Sequence, residues 1–224
     1  LAPELICYAH QMLAEDLSWK QKREYYAQSG VWQETKNAYE HIIAAHPKGS
    51  VWLLNYAIDL YDAGYNNETA DFLNRAAETD PYYSRTFYEA GKIYSKSTTT
   101  YYMAEKSYLR YLELVPNNAE VYGRLANIKY GQSKYNEAIE FSNKAIKIDS
   151  NIPEFFADRC RAEIKIKQIS EAAIDCNKAV KLCDDKCNYR GFIYLTRSDL
   201  YKSIGDDERS RMDYVKYISY KTIK

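Results

Sequence analysis

Residues 119–152, AEVYGRLANIKYGQSKYNEAIEFSNKAIKIDSNI, constrain the fold more than any other stretch, because they hold two apolar stripes of helical period divided by a short polar break. Val121, Tyr122, Leu125, Ala126 and Ile128 recur at three- and four-residue steps in the first arm. Ala138, Ile139, Phe141, Ala145, Ile146 and Ile148 do so in the second. The pattern predicts two antiparallel helices, and Ala126, Ala138 and Ala145 are small enough for the backbones to approach closely. Pro47 and Pro81 stand 34 residues apart, and a second paired-stripe segment begins at Pro153, 34 residues after Ala119. A unit that recurs at such a period cannot bury its apolar face alone, so it stacks on its neighbours.

The segment resembles a tetratricopeptide repeat (TPR): Tyr122, Leu125, Ala126, Ala138 and Ala145 stand at places 4, 7, 8, 20 and 27 of the 34-residue pattern, while Lys129, Ser142 and Ser150 depart from it at places 11, 24 and 32. In the same register Trp19, Tyr26, Gly30, Trp32, Tyr39 and Pro47 form a repeat over 16–49, and Ala57, Gly64, Leu73 and Ala76 one over 50–83. Residues 84–118 form a third, ending at Pro116, with Phe87, Gly91 and Tyr94 in phase only if the Ser95–Thr100 stretch makes a longer loop. Residues 153–190 and 191–224 complete six, the Cys183–Arg190 stretch interrupting the phase between them. The resemblance implies an all-α, right-handed superhelical solenoid: one domain over 16–224, with residues 1–15 a capping helix or the end of a lost repeat.

Composition fits this reading. The 224 residues are 46% hydrophobic and 28% charged, and no apolar run reaches the about 18 residues of a membrane span. Net charge is zero; residues 1–115 carry 11 basic and 15 acidic side chains and the remainder 20 and 16, too even a balance for a nucleic-acid surface. The 24 tyrosines read as inter-helix packing. Leu1 in place of an initiating Met is read as a sign of processing. Five cysteines favour a reducing, cytoplasmic compartment, with a periplasmic or envelope site the alternative if a signal precedes Leu1.

No catalytic set or cofactor motif is expected. His10, His41 and His46 do not converge with a nucleophile and base; His41 and His46 fall near a helix end, where a cation meets the negative pole. Glu137 and Glu171 suit helix N-termini. Cys160 and Cys176 occupy packing places 8 and 24 and are expected as core thiols. For Cys183 and Cys187 free thiols are the first reading, a disulfide or half a zinc site the others.

The resemblance places partner recognition on the concave face, at places 2, 5, 9, 12 and 13 of the first helices. That face would present Lys20, Glu24, Ile58, Tyr61, Arg85, Tyr88, Lys92, Asn127, Tyr130, Arg161, Lys165, Asp199 and Lys202. Aromatic rings among charges of both signs suit a protein or peptide partner. The clamp by which some relatives hold chaperone C-terminal carboxylates is not expected: Glu24 and Glu89 stand where Asn and Arg should, and Gly123 and Asp158 do not fit from the fourth repeat. Tyr214, Tyr217, Tyr220 and Ile223 leave the last helix apolar enough for self-association, and an assembly segment of a larger complex is the alternative to a groove-binding adaptor.

Overall fold

The computed structural model describes residues 2–14, 17–28, 30–184 and 187–221, without the side chains of 12–14, 19 and 20. These residues are all-α, with no strand among them. The helices are α1 (Pro3–Ala14), α2 (Trp19–Tyr26), α3 (Val31–Ala45), α4 (Ser50–Ala63), α5 (Asn66–Thr79) and α6 (Ser84–Tyr94). After a 3-10 turn at Thr98–Thr100 come α7 (Tyr101–Leu114), α8 (Ala119–Gly131), α9 (Tyr135–Ile148), α10 (Pro153–Lys165), α11 (Ile169–Leu182), α12 (Arg190–Ser203) and α13 (Asp207–Lys221). The chain divides into two compact units, residues 1–94 and 95–224. The division falls inside 84–118, at the stretch where the periodicity requires extra residues.

The helix ends follow the punctuation of the sequence. Pro47, Pro81 and Pro116 each stand two residues beyond a helix, and Pro153 opens α10, where its missing N–H is no loss. Helical hairpins need a left-handed residue at the turn: Gly30 (φ 89°), Gly64 (φ 99°), Ser133 (φ 60°), Lys167 (φ 63°) and Gly205 (φ 76°) supply it. All five hold place 15 of their repeats.

In the first unit α1 lies on α3, α2 on α4, and α4 pairs with α5. Cys7, Ala38, Tyr39, Ile42, Tyr56 and Leu60 form the core, with Trp32, Trp52 and Phe72 packed on it. Tyr39 stacks on Tyr56 at 4.6 Å between centroids, and Trp32 on Tyr65 at 4.9 Å. Asp59 sits inside this aromatic interior at 3% exposure.

The second unit builds its hairpins from α8 with α9, α10 with α11 and α12 with α13. Val121, Leu125, Ala126, Ala138 and Ala145 are all buried, as their stripe implies. Lys129, in a place the repeat pattern gives to Tyr, is 4% exposed because Glu105 of α7 and Glu137 of α9 hold its ammonium at 2.7 and 2.6 Å. A guanidinium ladder ties successive hairpins. Arg159 grips Asp175 with two hydrogen bonds and reaches back to Asn143 of the preceding hairpin at 2.6 Å. Arg197 repeats the arrangement with Asp213 and, at 3.1 Å, Asn177.

The cysteines depart from expectation. Cys160 and Cys176 are buried, as packing positions should be, but they face each other across α10 and α11 and form a disulfide. Cys183 and Cys187 also pair, closing the turn after α11, which replaces both the free-thiol and the zinc half-site readings. Cys7 is a buried free thiol, pushed up to about 12 by burial and then by the nearby Asp59 carboxylate.

Candidate functional site: a cleft on the first helices of the second unit

Helices α8 and α10 carry a cleft of about 490 Å³ in the second unit. Its walls are set by two glycines of α8. A Cβ at Gly123 would lie 2.6 Å from Cε1 of Phe155, and one at Gly131 would strike the Tyr101 ring, so each aromatic lies directly on the α8 backbone. Glu120, Arg124 and Asn127 line the cleft from α8, Glu154 from α10, and Tyr189 from the turn between the Cys183–Cys187 bond and α12.

Beside it lies a charged platform. Asp158 of α10 is 3% exposed and receives the Asn127 Nδ2 donor at 2.8 Å and the Arg161 guanidinium at 3.1 Å. Arg161 also donates to Asn127 Oδ1 and rests over the Tyr130 ring, 4.0 Å from its centroid, and over Phe192 at 5.2 Å. Burial pushes the Asp158 carboxyl up to about 7 even with Arg161 opposing it. Glu154 is raised as well, first by burial and against the pull of Tyr189, Arg124 and Arg161.

Of the residues named from sequence, Asn127, Tyr130 and Arg161 are brought into direct contact. Lys165 and Lys202 flank Asp199 closely enough to oppose the rise that burial gives its carboxyl. In the first unit Tyr61 is half-buried on α4 next to Asp62, to which Lys22 of α2 is bound at 3.1 Å. On α6, Lys92 pairs with Glu89 at 2.9 Å and lies 5.5 Å from the Tyr88 ring centroid. Ile58 is half-buried, and Glu24 and Arg85 are exposed. The Lys20 side chain falls outside the described residues.

Glu120, Glu154 and Phe155 stand outside the set expected from sequence, although Glu120 and Glu154 hold the same second place of adjacent repeats and are readable from the period. Tyr189 is not, since it lies in the turn that breaks the period. Asp158, a misfit to the chaperone clamp, is here the buried anchor of Arg161.

Among the described residues no group of three or more His, Cys, Asp or Glu is placed to hold a metal ion, and no helix is long and apolar enough to cross a membrane.

Paired helices turning on a left-handed residue at a fixed place define a helical-repeat protein. The family model for the tetratricopeptide repeat matches residues 119–152. Comparison with curated proteins finds no match. Among solved structures, YrrB, described as a TPR protein with an unusual peptide-binding site, superposes with a TM-score of 0.62 at 16% identity, over 82% of this chain and 92% of its own. The pilF protein of Pseudomonas aeruginosa gives 0.64 at 14% identity over 100% of both chains. PilW, a type IV pilus biogenesis factor, gives 0.65 at 12% identity over 87% and 88%. The fold is that of the tetratricopeptide repeat proteins.

Proposed function

We propose that the chain is a non-enzymatic interaction scaffold that grips a segment of a protein partner on the first helices of the second unit, along α8, α10 and α12. The arrangement of Arg161 carries this reading. Asp158 and Asn127 hold its guanidinium over the Tyr130 ring, so a partner meets a surface whose rotamers are already ordered and loses little entropy on binding. Lys165, Asp199 and Lys202 extend that surface with both charge signs. The peptide-binding character of YrrB, which shares the fold, agrees with this use. Glu24, Ile58, Tyr61, Arg85, Tyr88 and Lys92 offer the corresponding face of the first unit, and Lys20 belongs to the same set by register.

The test is capture of partners on immobilised chain, identified by mass spectrometry, with Tyr130→Ala and Lys165→Glu compared with the parent. Loss of the same partners from both variants, with unchanged circular dichroism, supports the groove. An unchanged partner list overturns it.

A second reading, an assembly segment that associates through its last helix, has one observation in its favour. Met212, Val215 and Ile218 on α13 are 57%, 66% and 40% exposed. Light scattering on Val215→Asp decides it, since only that reading requires a self-associated parent and a smaller species in the variant.

A further inference from the structure

The α8–α10 cleft has a charge composition that selects its occupant, and that selection rests on the partner segment proposed for the groove. The lining holds three carboxylates, Glu120, Asp149 and Glu154, against one guanidinium, Arg124. Arg124 is already engaged by Glu120 through hydrogen bonds of 2.9 and 2.6 Å. Asp149 accepts the Asn151 backbone N–H at 2.9 Å in the turn that leads into α10. Glu154 is different: it is half-buried in the cleft wall, and its hydrogen-bond partner among the described residues is the neutral Tyr189 hydroxyl rather than a cation. Arg124, held by Glu120, and Arg161, held by Asp158 and Asn127, act on this carboxylate without offsetting its desolvation, so it keeps room for a further cation. Beside it are the rings of Tyr101 and Phe155, apolar surface that suits the aliphatic stem of a long cationic side chain.

We infer that this cleft receives a lysine or arginine side chain of the partner segment, its stem against the Phe155 and Tyr101 rings and its charged head at Glu154 and the Tyr189 hydroxyl.

The cleft differs in this from the platform beside it, where Arg161 and Lys165 favour an acidic or aromatic neighbour in the same segment. The partner therefore carries a basic residue on one side and an acidic or aromatic one a few positions away. At high salt the basic contact weakens less than an exposed ion pair would, because Glu154 is shielded from counter-ions.

The experiment uses the full chain, isotopically labelled, with amide shifts followed by NMR. The probes are the N-acetyl methylamides of lysine, arginine, norleucine and glutamate. Lysine and arginine derivatives are expected to shift the amides of Gly123, Glu154, Phe155 and Tyr189 saturably, with norleucine and glutamate far weaker. Glu154→Gln, which keeps the shape and removes the charge, should lower the lysine affinity about tenfold, the typical effect of losing one charge-assisted contact. Equal binding of norleucine and lysine, or a Glu154→Gln chain that binds lysine as the parent does, overturns the inference, and so does the absence of any shift in the cleft. These outcomes leave the partner-capture result untouched. Failure of the capture experiment alone removes the groove reading while the cation subsite is still measured directly.

Discussion

The Tyr39 hydroxyl of α3 donates to Oδ2 of Asp59 on α4 at 2.7 Å in the interior of the first unit. Tyr26 of α2 donates to Oδ1 at 2.9 Å, and Gln11 of α1 reaches Oδ2 at 3.4 Å, so one buried carboxyl gathers four helices. All three of these partners are neutral. Burial raises Asp59 to about 6, with the Tyr39, Tyr26 and Gln11 hydrogen bonds pulling the other way.

That placement gives stability a pH dependence of definite sign. An unfolded aspartate titrates near 3.9, so between about pH 4 and 6 the folded chain holds a proton that the unfolded chain has released. The contribution is complete below pH 4 and is lost as pH rises through 6, on the order of 2–3 kcal/mol over the whole window. All three tryptophans, Trp19, Trp32 and Trp52, lie in the first unit, so tryptophan emission during urea unfolding reads it selectively. Asp59→Asn should remove this part of the pH dependence. An equal slope in parent and variant would show that Asp59 is charged throughout.

The turns supply a second prediction. Ser133 and Lys167 adopt the left-handed conformation at φ 60° and 63° that Gly30, Gly64 and Gly205 adopt elsewhere at the same place. A side chain there costs about 1–2 kcal/mol that glycine does not, less the extra freedom glycine has when unfolded. Ser133→Gly and Lys167→Gly should each raise the stability of the second unit by about 0.5–1 kcal/mol in urea titrations followed by circular dichroism. A loss of stability would mean that those side chains make contacts worth more than the turn strain.

Much of the fold was legible because period and punctuation act locally. Proline ends helices, the left-handed place turns them, and Ala126 and Ala138 mark where helices touch; each consequence stays within one repeat. The contacts of the candidate site were legible only where they obey the same register, as among Asn127, Tyr130 and Arg161. Lys129 looks like a lapse from the pattern, and only the structure brings Glu105 across from α7 to explain it. Cys160 and Cys176 lie in the core, as their register places them. Two packing places that face each other are also close enough to bond, which the one-dimensional pattern does not weigh. Tyr189 enters the cleft from a turn with no period at all, so nothing in the spacing points to it.

Thiol chemistry separates the two cysteine pairs. With Cys160–Cys176 and Cys183–Cys187 bonded and Cys7 free, the denatured, unreduced chain should titrate one thiol and the reduced chain five. Replacing Cys160 and Cys176 by serine opens a loop with a sequence separation of 16 and leaves two hydroxyls in a dry core, so a loss of about 3 kcal/mol or more is expected in urea. Replacing Cys183 and Cys187 should cost less stability, because their separation is 4, but should loosen Tyr189 and weaken lysine binding in the cleft. Five reactive thiols before reduction would refute the pairing.

The ladder makes a prediction about how the hairpins hold together. Asp213 on α13 is 3% exposed and answers Arg197 on α12 through bonds of 2.7 and 3.0 Å, while Asn177 of α11 holds the guanidinium from the preceding hairpin. Removing only the carboxylate strands a half-buried cation, so Asp213→Ala should cost about 3 kcal/mol. Removing both charges leaves no stranded group, and Arg197→Met with Asp213→Leu should cost clearly less than Asp213→Ala alone. Asn177→Ala leaves the bidentate pair intact and takes away one solvent-exposed hydrogen bond from the guanidinium, so about 1 kcal/mol is expected. Urea titrations of the four chains measure all three differences. A double variant as unstable as Asp213→Ala would mean that the pair acts through packing, and that Arg159, Asp175 and Asn143 one hairpin earlier do the same.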